Sequence, residues 1–445
     1  MFKIADMRSI GRAVHMLCGV VMAGGLSACA HSSLPDPGKP KNWVVANVAS
    51  KSTAELYADL IAPAVFKRSS SKVINGYTVE SGNLLMPDKS EGSLVTVRSA
   101  DGSVTALINR PGEIGSLHVD NKGVSRFIPE PVVDSHIEDE VTSPNETITT
   151  SPVDPASTES HVVDILMGYS RAGVERAGGD AMGDALAKVE LVNLALRNSL
   201  VSNVSFKLVG IQIVEQEYEV SNETLAKVPT IFAEGIKQFE PDVIYGNFAT
   251  FVPGGPAGIA YKPGRTGITI SNAAMTFAHE LGHNAGSDHC NTTGATDYRF
   301  GYDNGRSGSL LCGGNRELYY SNPAVKDQYG LPRGNAVTAD TARVWRENAE
   351  RLSSYVHFVP KTPQIVDGLS GYDSVRFKWS LSPRAVKYEI FVRGVLVPTK
   401  VGESITTEGV AKGVPRGMWS YFVVAVYADG TKSPRSNYFL AKPYD

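Results

Sequence analysis

The sequence predicts a multidomain protein: a mixed α/β domain at the centre, a β-rich segment before it and an all-β sandwich after it. Three observations carry this reading. Short alternating apolar runs fill the chain up to residue 130, strand and helix periods alternate over 161–360, and strand-length aromatic runs recur at sandwich spacing over 361–445. With 445 residues there is room for about three domains, and 42% hydrophobic with 20% charged residues is an ordinary globular composition. A net charge of −3 leaves no basic footprint, so no nucleic-acid partner is expected.

Residues 1–29 read as an export address. Lys3, Arg8 and Arg12 precede an apolar run over 13–26, which is too short to span a bilayer permanently and has the length of a secretory h-region. Leu26-Ser27-Ala28-Cys29 then resembles the bacterial lipobox, which implies that Cys29 is diacylated and becomes the mature N-terminus. Ordinary cleavage within Ala28-Cys29-Ala30 is the alternative. Ala30 stands where an aspartate would signal inner-membrane retention. By the same resemblance this implies an exported, outer-membrane lipoprotein on the periplasmic face or the cell surface.

Residues 30–130 hold runs such as Ser93-Leu94-Val95-Thr96-Val97 and Val104-Thr105-Ala106-Leu107-Ile108, broken at Asp101-Gly102 and Pro111-Gly112. They predict a small β-rich domain. Residues 131–160 turn to Pro, Ser, Thr, Asp and Glu without an aromatic residue and read as a disordered linker. No Lys or Arg lies between Arg126 and Arg171, which excludes trypsin-like processing inside that linker.

Residues 162–167 open the middle region, 161–360, as a buried strand. Met182, Leu186, Val189, Val192, Leu196 and Leu200 follow at helical spacing as a plain core stripe. A strand over 206–214, a helix over 225–239 and a strand over 242–245 complete the alternation of an α/β domain. Gly258-Ile259-Ala260-Tyr261 and Gly267-Ile268-Thr269-Ile270 are flanked by glycine and proline, as a sheet edge or hairpin would be. A helix over 338–355 carries Trp345, Ala349 and Leu352 on one side. In 361–445, the runs 375–379, 388–392 and 421–426 predict sandwich strands.

The chemistry lies in His279-Glu280-Leu281-Gly282-His283-Asn284-Ala285-Gly286-Ser287-Asp288-His289, an H-E-x-x-H-x-x-G-x-x-H motif. On a helix, His279 and His283 at i and i+4 project from one face. Gly286 tolerates φ > 0, which lets the chain reverse and bring in His289. Three neutral imidazoles can hold Zn2+ and leave its fourth position to water, whose proton Glu280 is placed to take and pass to a leaving amine. A structural zinc closed by a fourth protein ligand is the alternative. With Cys18 in the signal and Cys29 acylated, Cys290 and Cys312 remain and are expected to pair in an oxidising compartment. The rival is a Cys290 thiolate on the metal, opposed because neighbours in extended chain point to opposite sides.

These features are similar to those of reprolysin-like metzincins, zinc peptidases that include bacterial secreted enzymes. The resemblance spans residues 162–358 and rests on the zinc motif, the opening strand, Gly258-Ile259-Ala260-Tyr261 and Tyr320-Ser321-Asn322-Pro323. It implies an α/β metzincin-like catalytic domain with a zinc cofactor on His279, His283 and His289, and Glu280 as base. It also implies an edge strand at Ile259, Ala260 and Tyr261 that binds a peptide or protein substrate by main-chain pairing. Two departures stand out. No Met occurs between Met275 and Met418, so Leu310 or Leu311 takes the place of the methionine that the group carries beneath the zinc; and Cys290 stands where Asp is commoner. Residues 361–445 resemble a fibronectin type III module, on Trp379 and Tyr421.

In this group the preceding segment is often an inhibitory prodomain, in several members through a cysteine on the metal. No cysteine lies between Cys29 and Cys290, so inhibition here needs a covering segment or another ligand. Asp134, His136, Glu138 and Asp139 are the candidates, although as a charge run they read rather as solvated linker. The expected function is a zinc-dependent endopeptidase, anchored by lipid to a bacterial membrane. A zinc amidase of non-protein amides and a lipid-anchored binding protein with a structural zinc are the alternatives. Oligomeric state cannot be read from the sequence.

Overall fold

The computed structural model describes residues 41–44, 48, 51–52, 55, 64–131, 138–143, 146–148, 159–313, 316–356, 360–394, 397–414, 417–427 and 430–444. Residues 1–29, with Cys29, lie outside these, as do Asp134 and His136. Among the described residues no helix is long and apolar enough to cross a membrane.

The first sheet is an antiparallel meander of β1 (Lys41–Val44), β2 (Val65–Ile74), β3 (Tyr77–Leu85), β4 (Glu91–Arg98), β5 (Val104–Arg110), β6 (Glu113–Val119) and β7 (Val124–Pro129), in the order β1-β7-β6-β5-β4-β3-β2. Asn75 and Gly76, both at positive φ, make the tight β2–β3 turn that such a hairpin requires. Alternation along these strands serves two cores. Leu94, Val104, Ala106 and Ile108 pack together on one face, while Val79, Val95, Val97 and Leu107 join the core of the middle region.

The second sheet contains β8 (Glu140–Thr142), β9 (His161–Ser170), β10 (Val204–Val214), β11 (Val243–Phe248), β12 (Gly258–Lys262) and β13 (Thr266–Ile270), in the order β10-β9-β11-β13-β12-β8. Its pairs are parallel except β12 with β13. A long helix, Ala181–Asn198, packs against β10 and also against β3, β4 and β5 of the first sheet. Asp180 caps its N-terminus by accepting from the Gly183 amide. Inside it, Lys188 pairs with Asp184 and donates to Asn247 Oδ1 and the Ser271 carbonyl, so these buried charges are fully partnered.

Residues 365–441 form two antiparallel sheets on one core. Ile365–Gly371, Ser374–Trp379 and Glu408–Lys412 make the first; Thr399–Ser404, Ala385–Val392, Trp419–Tyr427 and Phe439–Ala441 make the second. Phe377, Trp379, Ile390, Tyr421 and Val423 fill the space between them.

The expected fold class, a multidomain chain built around an α/β metzincin-like domain, is overturned. The chain is mostly β, with 43% strand and 19% helix spread over several sheets. Two of the predicted helices are also interrupted. The helix expected over 225–239 is two, Asn222–Ile231 and Ala233–Phe239, with Pro229 removing an amide from the first. The helix expected over 338–355 starts only at Thr341, capped by Asp340, and divides at Asn348. A second correction concerns the stretch 131–160, read as disordered linker. Its residues 140–142 form β8, because the edge of β12 offers unpaired backbone groups that an extended segment can satisfy.

Candidate metal centre

The motif lies on the helix Ala274–Ala285, which is buried along its whole length. Gly286 ends it in the left-handed region at φ +112°, with the Ser287 amide donating back to the Gly282 carbonyl. The chain reverses there, and His289 arrives on the short strand Asp288–Cys290, paired with Phe300–Gly301.

The three imidazoles converge. Nε2 of His279 lies 2.9 Å from Nε2 of His283 and 3.2 Å from that of His289, and the last pair is 3.2 Å apart. At the other side of two rings, Nδ1 of His279 is 2.7 Å from the Leu310 carbonyl and Nδ1 of His283 is 2.8 Å from the Ser287 carbonyl. A carbonyl only accepts, so each Nδ1 carries a proton, and where the ring is neutral its Nε2 presents a lone pair to the shared centre. Burial reinforces this at His279, pushing its imidazolium down to about 4 against the pull of Asp139.

A carboxylate completes the figure. Asp139 Oδ1 lies 2.8 Å from His289 Nε2 and 3.3 Å from His283 Nε2, and its Oδ2 lies 3.4 Å from His279 Nε2. A tetrahedron with bonds of about 2.0–2.1 Å has edges of about 3.3 Å. The three imidazole edges, 2.9–3.2 Å, and the two edges from Asp139 Oδ1, 2.8 and 3.3 Å, are near that size, with His279 facing the second Asp139 oxygen, so three imidazoles and one carboxylate could hold one small cation. Burial opposes the Asp139 charge, but the imidazoles outweigh it and hold the carboxyl far below the usual range.

Asp139 is delivered by main-chain pairing. β8 runs parallel to β12, with Glu140 opposite Ala260, Val141 opposite Tyr261 and Thr142 opposite Lys262. The Ala260 amide donates to the Asp139 carbonyl at 3.0 Å and the Ser143 amide to the Lys262 carbonyl at 3.1 Å. Side chains add to this grip. Glu140 pairs with Lys262, which also pairs with Asp288, and the second Glu140 oxygen lies 3.0 Å from His283 Nδ1. Although burial works against it, these partners hold the Glu140 carboxyl near 2. Farther along, Glu146 meets Arg351 and Tyr355, and Ile148 packs over Gly286.

Glu280 is fully buried beside the centre, and neither of its oxygens has a hydrogen-bond partner among the described residues. Gly258 makes room for it, since a Cβ there would sit 2.7 Å from Oε1. Burial, reinforced by the charges of Asp139 and Glu140, pushes this carboxyl well above its ordinary range. Beneath the rings, Leu310 supplies the carbonyl for His279, and Leu311 packs so tightly on Gly282 that a Cβ there would come within 2.9 Å. Cys290 and Cys312 form a disulfide that ties the His289 strand to this loop. With its sulfur bonded to Cys312, Cys290 is no thiolate ligand.

Ile259, Ala260 and Tyr261 thus stand on β12, at the edge that β8 covers. Tyr319 and Tyr320 follow the loop that carries Leu310 and Leu311. Both are fully buried, and Tyr320 donates to the Ala278 carbonyl from within the core. Of the acidic run, Glu138 is exposed, and Asp139 is the residue that sequence reasoning undervalued. The signal available was its place in a stretch with β-compatible Val141 after it, within reach of an expected edge strand.

No family model matches the chain, and no curated protein matches it either. Among solved structures it is similar to metalloproteinase-II from Bacteroides fragilis, at 12% identity over 61% of this chain and 93% of that one, with a TM-score of 0.38. A chain in the structure of a chaperone–substrate complex is 20% identical over 59% of this chain and 45% of its own length, with a TM-score of 0.41. This chain therefore spans less than half of that one. FN3tt is 20% identical over 20% of this chain and 97% of its own, with a TM-score of 0.17. The functional reading rests on the site itself.

Proposed function

We propose that the protein is a zinc-dependent endopeptidase seen in a latent state, with its own residues 139–142 lying across the active-site cleft. The observation that carries this reading is the pairing of an extended segment with β12 that sets Asp139 among three converging imidazoles. A cleft that takes a polypeptide strand by its backbone is suited to peptide or protein substrates. That favours an endopeptidase over an amidase of small, non-protein amides.

Three imidazoles with a carboxylate suit zinc, which when bound would act as a Lewis acid on a substrate carbonyl and acidify water. The chain's own residues do the rest. The backbone of Ile259, Ala260 and Tyr261 aligns the substrate; the Leu310 and Ser287 carbonyls fix the ligating tautomers; an Oε atom of Glu280 takes the water proton and returns it to the leaving amine. A zinc that is only structural is the second reading, favoured by Asp139 closing the site with a fourth protein ligand. It leaves the buried, unpartnered Glu280 without a purpose.

By motif we assign the enzyme to the reprolysin-like peptidases, and residues 361–445 to a fibronectin type III-like module. We also propose export and acylation at Cys29, which would anchor it at a bacterial outer membrane. Mass spectrometry of the mature N-terminus tests the anchor: acylated Cys29 is expected, and an unmodified N-terminus at His31 would refute it. The activity is tested with zinc-loaded, full-length Asp139→Ala protein on a peptide library read by mass spectrometry. Internal cuts that vanish in the Asp139→Ala, Glu280→Gln double variant are expected; no cuts in either would reject the peptidase.

A further inference from the structure

We propose that the N-terminal sheet, residues 64–131, is a resident subunit of the working enzyme, and that only the short segment bearing Asp139 must leave for activity. What counts as working rests on the peptidase reading above.

The first observation is the long helix Ala181–Asn198. Every residue from Gly183 to Leu196 is buried, and a helix buried on all sides is one covered on all sides. Gly183, Glu190 and Arg197 stand seven residues apart, on one face, and each meets the N-terminal sheet. A Cβ on Gly183 would lie 3.0 Å from Thr105 Oγ1, and Glu190 and Arg197 both bond Ser81 Oγ. Glu190 is 1% exposed, and Lys72 of the sheet is its second cation at 2.5 Å. Removing the sheet would strip this buried carboxylate of two partners and open the helix to water.

The second observation concerns the motif helix. Ala273 at its N-cap has no capping side chain. The cap comes instead from Glu130, next after β7, whose Oε2 accepts from the Met275 amide at 3.0 Å and whose Oε1 accepts from the Thr276 amide and hydroxyl at 3.0 and 3.1 Å. A carboxylate here also complements the helix dipole. The helix that carries His279, Glu280 and His283 is therefore anchored by the N-terminal segment, and Glu130 is a positioning residue. At the rim, Arg333 bridges Glu91 of the sheet and Glu317.

The Asp139 segment is held more locally, by a three-residue strand on one edge and by the side chains of Asp139, Glu140 and Glu146. If the sheet stays, one cut beside this segment leaves it tethered within reach of the cleft at an effective concentration in the millimolar range. Release then takes a cut on each side.

The test uses the full chain with two different protease-recognition sites, one inserted within 132–137 and one within 149–157, followed by native size-exclusion chromatography and a peptide assay with zinc. The expected result is co-elution of the large fragments after either cut and after both, with activity rising more than tenfold only after both. Elution of the N-terminal fragment apart from the rest in native buffer overturns the proposal, as does full activity after one cut. Co-elution without any peptide cleavage after both cuts refutes the peptidase reading and leaves the resident subunit standing. In the doubly cut enzyme, Glu130→Ala should lower kcat several-fold with KM little changed, and Glu130→Gln, which keeps an acceptor, should recover part of it. Unchanged kcat in Glu130→Ala overturns the positioning role.

Discussion

Replacing Asp139 with Ala perturbs latency at one point. The carboxylate contacts all three imidazoles at 2.8–3.4 Å, as a charged fourth ligand would. Counted as one hydrogen bond to a charged group, this contact contributes about 1.5–3 kcal/mol, and each 1.36 kcal/mol is tenfold. The open state of the cleft should therefore become about 10- to 150-fold more populated. It should not become complete, because the backbone bonds from Ala260 and Ser143 and the Glu140 pairs remain. The assay is cleavage of a quenched fluorescent peptide by zinc-loaded, uncut chain, with integrity checked by gel. Glu138→Gln serves as the control: Glu138 is exposed, and its loss should leave latency intact. A rise of less than threefold in Asp139→Ala at full zinc occupancy would refute the assignment of the block to this carboxylate.

Three other outcomes follow from the geometry. In the Asp139→Ala background, Glu280→Gln should lower turnover at least about 100-fold with zinc retained, whereas His283→Ala should lose the metal as well, read by elemental analysis. His118, on β6 under Gly178, has its imidazolium pushed by burial from 6.5 to about 4. Since the unfolded chain binds the proton more tightly, stability present above pH 6.5 is lost as pH falls toward 4, by at most about 3 kcal/mol and less where solvent reaches the ring. His118→Gln should flatten that part of the acid-denaturation curve. Reduction of Cys290–Cys312, or its replacement by serines, should cost about 3 kcal/mol in denaturant melts, since it closes a loop of sequence separation 22.

What the sequence disclosed was local. The spacing of His279, His283, Gly286 and His289 defines a helix, its end and a returning ligand within eleven residues, and no tertiary information is needed to read it. Strands β4, β5, β9 and β11 overlap the runs expected of them. The fourth member of the candidate metal cluster was hidden because Asp139 is 140 residues from His279, and its surroundings in sequence resemble solvated linker; only pairing with β12 gives it a place. Glu130 was hidden for the same reason, a cap supplied across 145 residues. Helix breaks were missed because periodicity does not register them, as at Asn348, which ends one helix and begins the next while the apolar spacing of Trp345, Ala349 and Leu352 continues. One apolar stripe of Ala181–Asn198 was visible, but its burial on the other faces, and the second sheet that covers it, were not.

The central claim is a single zinc shared by three imidazoles and a carboxylate from the chain's own N-terminal half. Anomalous diffraction at the zinc edge from crystals of the intact, zinc-loaded protein tests it most directly. The account predicts one peak, about 2.0–2.2 Å from Nε2 of His279, His283 and His289 and from one Asp139 oxygen. A peak bound by the imidazoles with Asp139 turned away, or no peak among them, would contradict it.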